Sequence, residues 1–306
     1  MQFPHKLRLP VIAAPMFLIS GPEMVIAACR AGIVGSFPTP NCRTVAELET
    51  WMAAIVEGLD TTSAPWATNL ITHSTNTRLP ADLALVKTYQ PPLVITALGS
   101  PKPAVEVVHG YGGLVFADVV NINLAKKAVA AGADGLVCIA AGAGGHTGHF
   151  SPFAFISAVR EFFDGPLVIG GGISGGAGIA GAIAAGADFA YIGTRFLPTA
   201  ESRAVDPYKQ MIVDCGPDDL IVSSAITGTA ASWLKPSLVA CGIDLETLSG
   251  KPGRDYTPET AHKRWRDTWA AGQGLHASKA IEPMAAVVDT LERDYKTAVA
   301  RFQARA

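Results

Sequence analysis

The chain has 306 residues, a length that suits one α/β barrel with additions. Hydrophobic residues make up 49% and charged residues 16%, a balance that supports a large core and argues against disorder. Lys and Arg number 24 against 26 Asp and Glu, a net charge of −2, and no basic stripe is present to hold nucleic acid.

Short apolar runs alternate with helical segments that end in glycine, the pattern of buried parallel strands joined by helices. The first strand is predicted over 9–16, a helix over 22–31 and a second strand over 33–37. Thr44 with Glu47 three residues on reads as a capping box that opens a helix to about Leu59. Strands follow at 66–71, 93–98, 114–119, 135–140, 167–170 and 189–192, with helices between them at 81–89, 104–109, 123–131, 152–163 and 178–185. Eight strands, each followed by a helix, in about 200 residues predict a (β/α)8 TIM barrel. An open doubly wound sheet is the structural alternative. The stretch 128–140 echoes 182–193: helix, Ala-Gly turn, Asp, buried strand, with the glycine expected in the left-handed conformation. The likeness of all βα units is explanation enough for that echo.

Beyond Thr199 the pattern changes to short helical pieces richer in charge, Pro and Trp, followed by an amphipathic helix over 281–303. The division expected is a barrel over 1–199 and a mostly helical extension over 200–306, packed on the barrel as part of the same unit and covering the site. Five cysteines with no C-x-x-C pair give no disulfide framework and no zinc site, so no metal is expected. The N-terminal stretch lacks a signal peptide's apolar region, and apolar runs break before about 18 residues. A cytoplasmic protein without a membrane span is the expectation.

Three groups of residues could carry chemistry. Gly171 and Gly172 end the seventh strand, and Gly193 with Thr194 ends the eighth. Glycine turns at these two strands let backbone N–H groups approach a phosphate, and barrels often bind phosphate there. His146 lies on a glycine-rich loop, 144–148, after the sixth strand, where its ordinary pKa near 6.5 suits proton abstraction. His149, three residues on, is read as an accessory residue. Ala14-Pro15-Met16 would set backbone groups beside a bound ring at the end of strand one, and Asn69 at the end of strand three could bond a polar ring edge.

The Ala14-Pro15-Met16 run, the GGH-x-G loop at 144–148, Gly170–Gly172 and Gly193-Thr194-Arg195-Phe196 occur in the order found in the nitronate monooxygenase family, formerly called 2-nitropropane dioxygenase. The segments 227–238 and 269–274 also resemble that family, so the likeness covers nearly the whole chain. The resemblance implies an FMN-dependent barrel that oxidises alkyl nitronates with O2 to a carbonyl compound and nitrite. It implies His146 as the catalytic base, Gly171, Gly172, Gly193 and Thr194 around the FMN phosphate, and Pro15, Met16 and Asn69 at the flavin ring, with Gln273 near it. The sequence departs from the family where Asp118 stands in the strand that often ends in Lys, and where the sixth strand ends without a polar residue. An NAD(P)H-dependent quinone or enoyl-thioester reductase of the same superfamily is the alternative, since it would share the GGH loop. A flavin-free scaffold barrel is the reading from another class. The natural substrate and oligomeric state stay open, a homodimer being one option.

Overall fold

A computed structural model describes residues 7–249 and 265–305, so part of the short helical stretch expected over 200–280 lies outside the described residues. Strands β1 (Val11–Ala13), β2 (Gly35–Pro38), β3 (Trp66–Ile71), β4 (Leu93–Ala97), β5 (Leu114–Val119), β6 (Gly135–Ile139), β7 (Leu167–Gly170) and β8 (Phe189–Ile192) form one parallel sheet. β8 pairs with β1 through Val11 and Ala190, and a parallel bridge between Ile12 and Val34 joins β1 to β2, which closes the barrel. The expected (β/α)8 barrel is therefore the fold. Helices α1 (Pro22–Arg30), α2 (Val45–Gly58), α3 (Leu79–Tyr89), α4 (Lys102–His109), α5 (Ile122–Ala130), α6 (Pro152–Arg160) and α7 (Gly176–Ala184) follow the first seven strands.

Inward and outward residues alternate along each strand. Ile12, Val34, Phe116, Val137, Val168 and Phe189 fill the interior, while Ala117, Cys138 and Ile169 face the helices. The first strand is shorter than the apolar run suggested. Ala14 still donates its N–H to the Ile192 carbonyl at 2.9 Å, but Pro15 has no N–H and ends the ladder. Thr44 caps α2 as its spacing predicts, with the Glu47 N–H donating to Thr44 Oγ1 at 3.1 Å.

The internal echo has a physical role. Gly132 and Gly186 both turn the chain with positive φ, 91° and 107°. The Asp two residues after each glycine then ties down the neighbouring strand. Asp134 accepts from the Val115 N–H at 2.7 Å and bonds His109 at the end of α4. Asp188 accepts from the Leu167 N–H at 2.7 Å and bonds Arg160 at the end of α6. Each carboxylate fastens the start of its own strand to an amide at the start of the preceding strand and to the helix that leads into that strand.

After β8 the chain makes a short 3-10 turn, Thr194–Phe196, then α8 (Asp206–Asp214), the antiparallel pair β9 (Leu220–Ser223) and β10 (Ala231–Leu234), α9 (Lys235–Ala240) and α10 (Met284–Gln303). The expected C-terminal helix is present, and α10 takes the eighth place in the outer ring. Its Val287, Val288 and Leu291 pack with Met24 and Ala28 of α1, Ile179 of α7 and Val11 of β1. Gly176 at the start of α7 makes this approach possible, because a Cβ there would run into the backbone of Leu291 and Tyr295. Leu291 is 2% exposed. Leu291→Ala is expected to lower unfolding stability by about 2–5 kcal/mol in a denaturant titration. A change near zero would mean that α10 adds nothing to the ring.

Candidate active site

The GGH loop is held by backbone contacts that its glycines permit. Gly148 lies against the end of β6, where a Cβ would strike the Ile139 carbonyl. A Cβ on Gly144 would stand 2.6 Å from the Gly272 N. Thr147 donates its N–H to the Ala230 carbonyl at 3.1 Å and its hydroxyl to the Ala140 carbonyl at 3.2 Å. The sequence reads this stretch as a free loop, yet Gly145–His146 form a two-residue strand paired antiparallel with Ala231 and Ser232 of β10. His146 thus sits on a fixed ribbon. Its ring keeps solvent contact and meets the edge of Trp265, with centroids 5.2 Å apart. Trp265 in turn lies against Trp233 at 4.6 Å. Packing around the imidazole strips water from it and lowers its pKa from the ordinary value, so the neutral, proton-accepting form is favoured. His149 is exposed and stacks near Phe150 at 4.3 Å.

The glycine turns of β7 and β8 reach the same end of the barrel. Gly171 has φ 145° and Gly172 φ 69°, conformations that side chains disfavour. A Cβ on Gly171 would stand 2.6 Å from the Ala141 carbonyl oxygen. No backbone carbonyl among the described residues accepts from the N–H groups of Gly172 or Thr194. These unengaged amides in a cradle without side chains fit a phosphate group. Gly193 abuts Met16, whose Sδ would lie 3.4 Å from a Cβ at that position. Arg195 turns away from the cradle, 5% exposed, and pairs with Glu282 at 3.2 Å, anchoring the turn to the segment before α10.

The segment 271–274 closes over these turns. Gly272 donates its N–H to Thr194 Oγ1 at 2.9 Å, and Gln273 donates its own to the Gly142 carbonyl at 2.9 Å. The Gln273 side-chain oxygen would stand 2.9 Å from a Cβ on Gly142. The C-terminal part therefore clamps the β6, β7 and β8 loops together. The structure brings His146, Gly171, Gly172, Gly193, Thr194, Met16 and Gln273 to one end of the barrel. Pro15 ends β1 beside them. Met16 sits in a tight turn, its N–H donating to Ser20 Oγ at 2.9 Å and its carbonyl accepting from Asn41 Nδ2 at 3.1 Å. Asn69 does not end its strand, since β3 runs on to Ile71. It points inward, 7% exposed, with its amide nitrogen on the Ile95 carbonyl at 3.1 Å.

Trp265, Gly142 and Tyr191 were not singled out by sequence. Gly142 lay outside the quoted motif. Trp265 follows a stretch with no periodic signal, and only the Trp content of the region pointed there. An open groove of about 460 Å3 adjoins the same rim at the ends of β3 and β4, lined by Thr72, His73, Asn76, Gly99 and Ser100 among others. Among the described residues no group of three or more His, Cys, Asp or Glu could hold a metal. No helix among them is long and apolar enough to cross a membrane.

A closed barrel with a glycine cradle on its last two strands and a histidine ribbon beside it is the arrangement of a barrel that takes a phosphate-bearing ligand at the C-terminal ends of its strands. The profile of the nitronate monooxygenase family matches residues 66–241, more than half of the chain, and the chain belongs to that family. A nitronate monooxygenase from Paraburkholderia phytofirmans is 25% identical over 96% of this chain and 94% of its own length. A (3aS,4S,5R,7aS)-5-hydroxy-7a-methyl-1-oxo-octahydro-1H-indene-4-carboxyl-CoA dehydrogenase from Rhodococcus jostii is 29% identical over 75% of this chain, which spans 64% of that relative's length. The solved nitroalkane oxidase from Streptomyces ansochromogenes superposes with a TM-score of 0.82 at 23% identity, covering 96% of this chain and 97% of that one, a likeness of fold.

Proposed function

We propose that this protein oxidises alkyl nitronates, or the nitroalkanes that give them, with O2 and a bound FMN, releasing a carbonyl compound and nitrite. The observation that carries this reading is the placement of His146: a solvent-accessible histidine with its pKa lowered by the packing around it, held on a paired ribbon, at the barrel end that carries the phosphate-type cradle. FMN, when bound, supplies the electron acceptor and the partner for oxygen. Backbone N–H groups of Gly172 and Thr194 would hold its phosphate, with Gly171 and Gly193 leaving the room, and Pro15, Met16, Asn69 and Gln273 would border the ring. His146 takes the proton from the carbon next to the nitro group, or orients the nitronate anion when that proton is already gone. Trp265 walls the imidazole on one side and limits water around it.

The pH dependence follows from the sign of the shift. A base must be unprotonated, and burial lowers the His146 pKa. Activity on a neutral nitroalkane should therefore hold as pH falls past about 6.5, the ordinary histidine value, and be lost only below it. A kcat/KM profile with an acid limb centred above that value would count against His146 as the base.

The runner-up is a nicotinamide-dependent reductase or dehydrogenase acting on acyl thioesters, favoured by the CoA-thioester dehydrogenase among the relatives. The groove at the β3 and β4 ends offers space for a larger substrate. Anaerobic stopped-flow spectroscopy separates the two. Rapid bleaching of the flavin by a nitronate, with little from NADH or NADPH, supports nitronate oxidation. The reverse pattern moves the protein to the reductases.

A further inference from the structure

At the floor of the barrel mouth, two polar side chains each hold one buried oxygen that has no hydrogen-bond partner among the described residues. Asp118 faces inward from β5, one layer above Phe116, and its Oδ1 has no hydrogen-bond partner among the described residues. Tyr191 faces inward from β8, 8% exposed, and its hydroxyl is also unpartnered. Gly170 makes room for this ring, since a Cβ there would stand 3.2 Å from Tyr191 Cβ. The carboxylate is near enough to Tyr191 for its charge to hold the phenol above its usual pKa, together with burial. Native proteins satisfy nearly all buried polar groups. Unlike the other unpartnered buried polar atoms, these two point inward from neighbouring positions in the topmost layer of the barrel, where a ligand at the mouth can reach them. Asp118 is not wholly enclosed: the residue keeps partial exposure while the Phe116 layer beneath it is sealed, so that exposure opens on the mouth.

Among the described residues no cation faces the Asp118 carboxyl. Tyr191 faces Asp118 from β8, and the Cys138 thiol on β6 feels the carboxylate from the outward face. β4 presents Ile95 and Ala97. Lys126 and Lys127 of α5, and Lys102 and Glu106 of α4, are exposed on the outside of the ring. Burial alone pushes the carboxyl up to about 7. A group in that range changes protonation when a charge is added beside it.

We propose that Asp118 stores a proton for the bound flavin: it faces the ring from the mouth floor and takes a proton from solvent when two electrons enter the ring from a reductant. This rests on the flavin reading but not on the choice between nitronate and thioester substrates. Below the pKa of Asp118 in the oxidised protein the carboxyl already holds its proton. Above the higher pKa that it reaches beside the reduced ring, it holds none in either state. Between the two, reduction draws in one extra proton.

The test is an equilibrium redox titration of the flavin-loaded protein with dithionite and mediators, from about pH 6 to about pH 9. Above about pH 7, each pH unit should change the two-electron equilibrium constant an extra tenfold, about 30 mV. The Asp118→Asn variant should lack that added slope. Equal slopes in both proteins would overturn the proposal. A reduced-minus-oxidised infrared spectrum of the unaltered protein gives a second check that needs no variant. A protonated carboxyl C=O band gained on reduction at about pH 8 supports the store, and no such band overturns it. A chain that takes up no FMN would overturn both this proposal and the flavin reading. Bound flavin with an unchanged slope would overturn Asp118 alone.

Discussion

Replacing His146 with alanine should lower kcat/KM for a neutral nitroalkane by about 10²-fold or more while FMN stays bound, the usual scale for a lost general base. The ribbon should survive the change, because Gly145–His146 pair with β10 through backbone groups. A preformed nitronate has already lost the proton that the base removes, so the variant should oxidise it far faster than the neutral acid. Steady-state assays on both substrates separate the roles. A full rate on the neutral substrate would remove His146 from proton transfer. An equal loss on both would make it an orienting residue.

The second large effect is expected at the cradle. Gly171→Asp adds a side chain whose Cβ would stand 2.6 Å from the Ala141 oxygen, at a φ of 145° that other residues rarely adopt. It also sets a negative charge against the phosphate. Strain of about 1–3 kcal/mol together with that repulsion should weaken FMN binding on the order of 10²-fold, measured by flavin fluorescence on dilution. Gly171→Ala carries the strain without the charge, and the gap between the two variants reports the phosphate. A variant that purifies yellow and fully loaded would refute the assignment.

Much of this is legible in the amino-acid sequence. Strands β3, β5, β7 and β8 run over the residues that their apolar patterns mark, because a strand buried on both faces has no competing period. The glycine turns were legible because glycine adopts the positive φ values found at Gly171 and Gly172 more readily than any other residue. The end of β1 was misjudged, since the apolar run continues through Pro15 while the hydrogen bonds cannot. His146 was placed at the right rim but on a loop. Its partner strand lies 85 residues later by number, from Gly145–His146 to Ala231–Ser232, and no local pattern announces a pairing over that distance. Trp265 and Tyr191 were missed for a like reason. Their importance comes from what stands across the barrel mouth, in one case the imidazole and in the other Asp118.

The position of α10 bears on how the chain reaches this state. The seam between α7 and α1 is covered by a helix that follows the eighth strand by about 90 residues. During synthesis all eight strands leave the ribosome before that helix exists. Met24, Ala28 and Ile179 must wait in water, or under a chaperone, until residues 284–303 arrive. The antiparallel pair and the clamping segment emerge within that interval, so the rim with the candidate site is assembled on a barrel whose wall is still open. The wall therefore closes after the rim, and a chain that stopped at residue 283 would carry an adhesive apolar stripe down the side of its barrel.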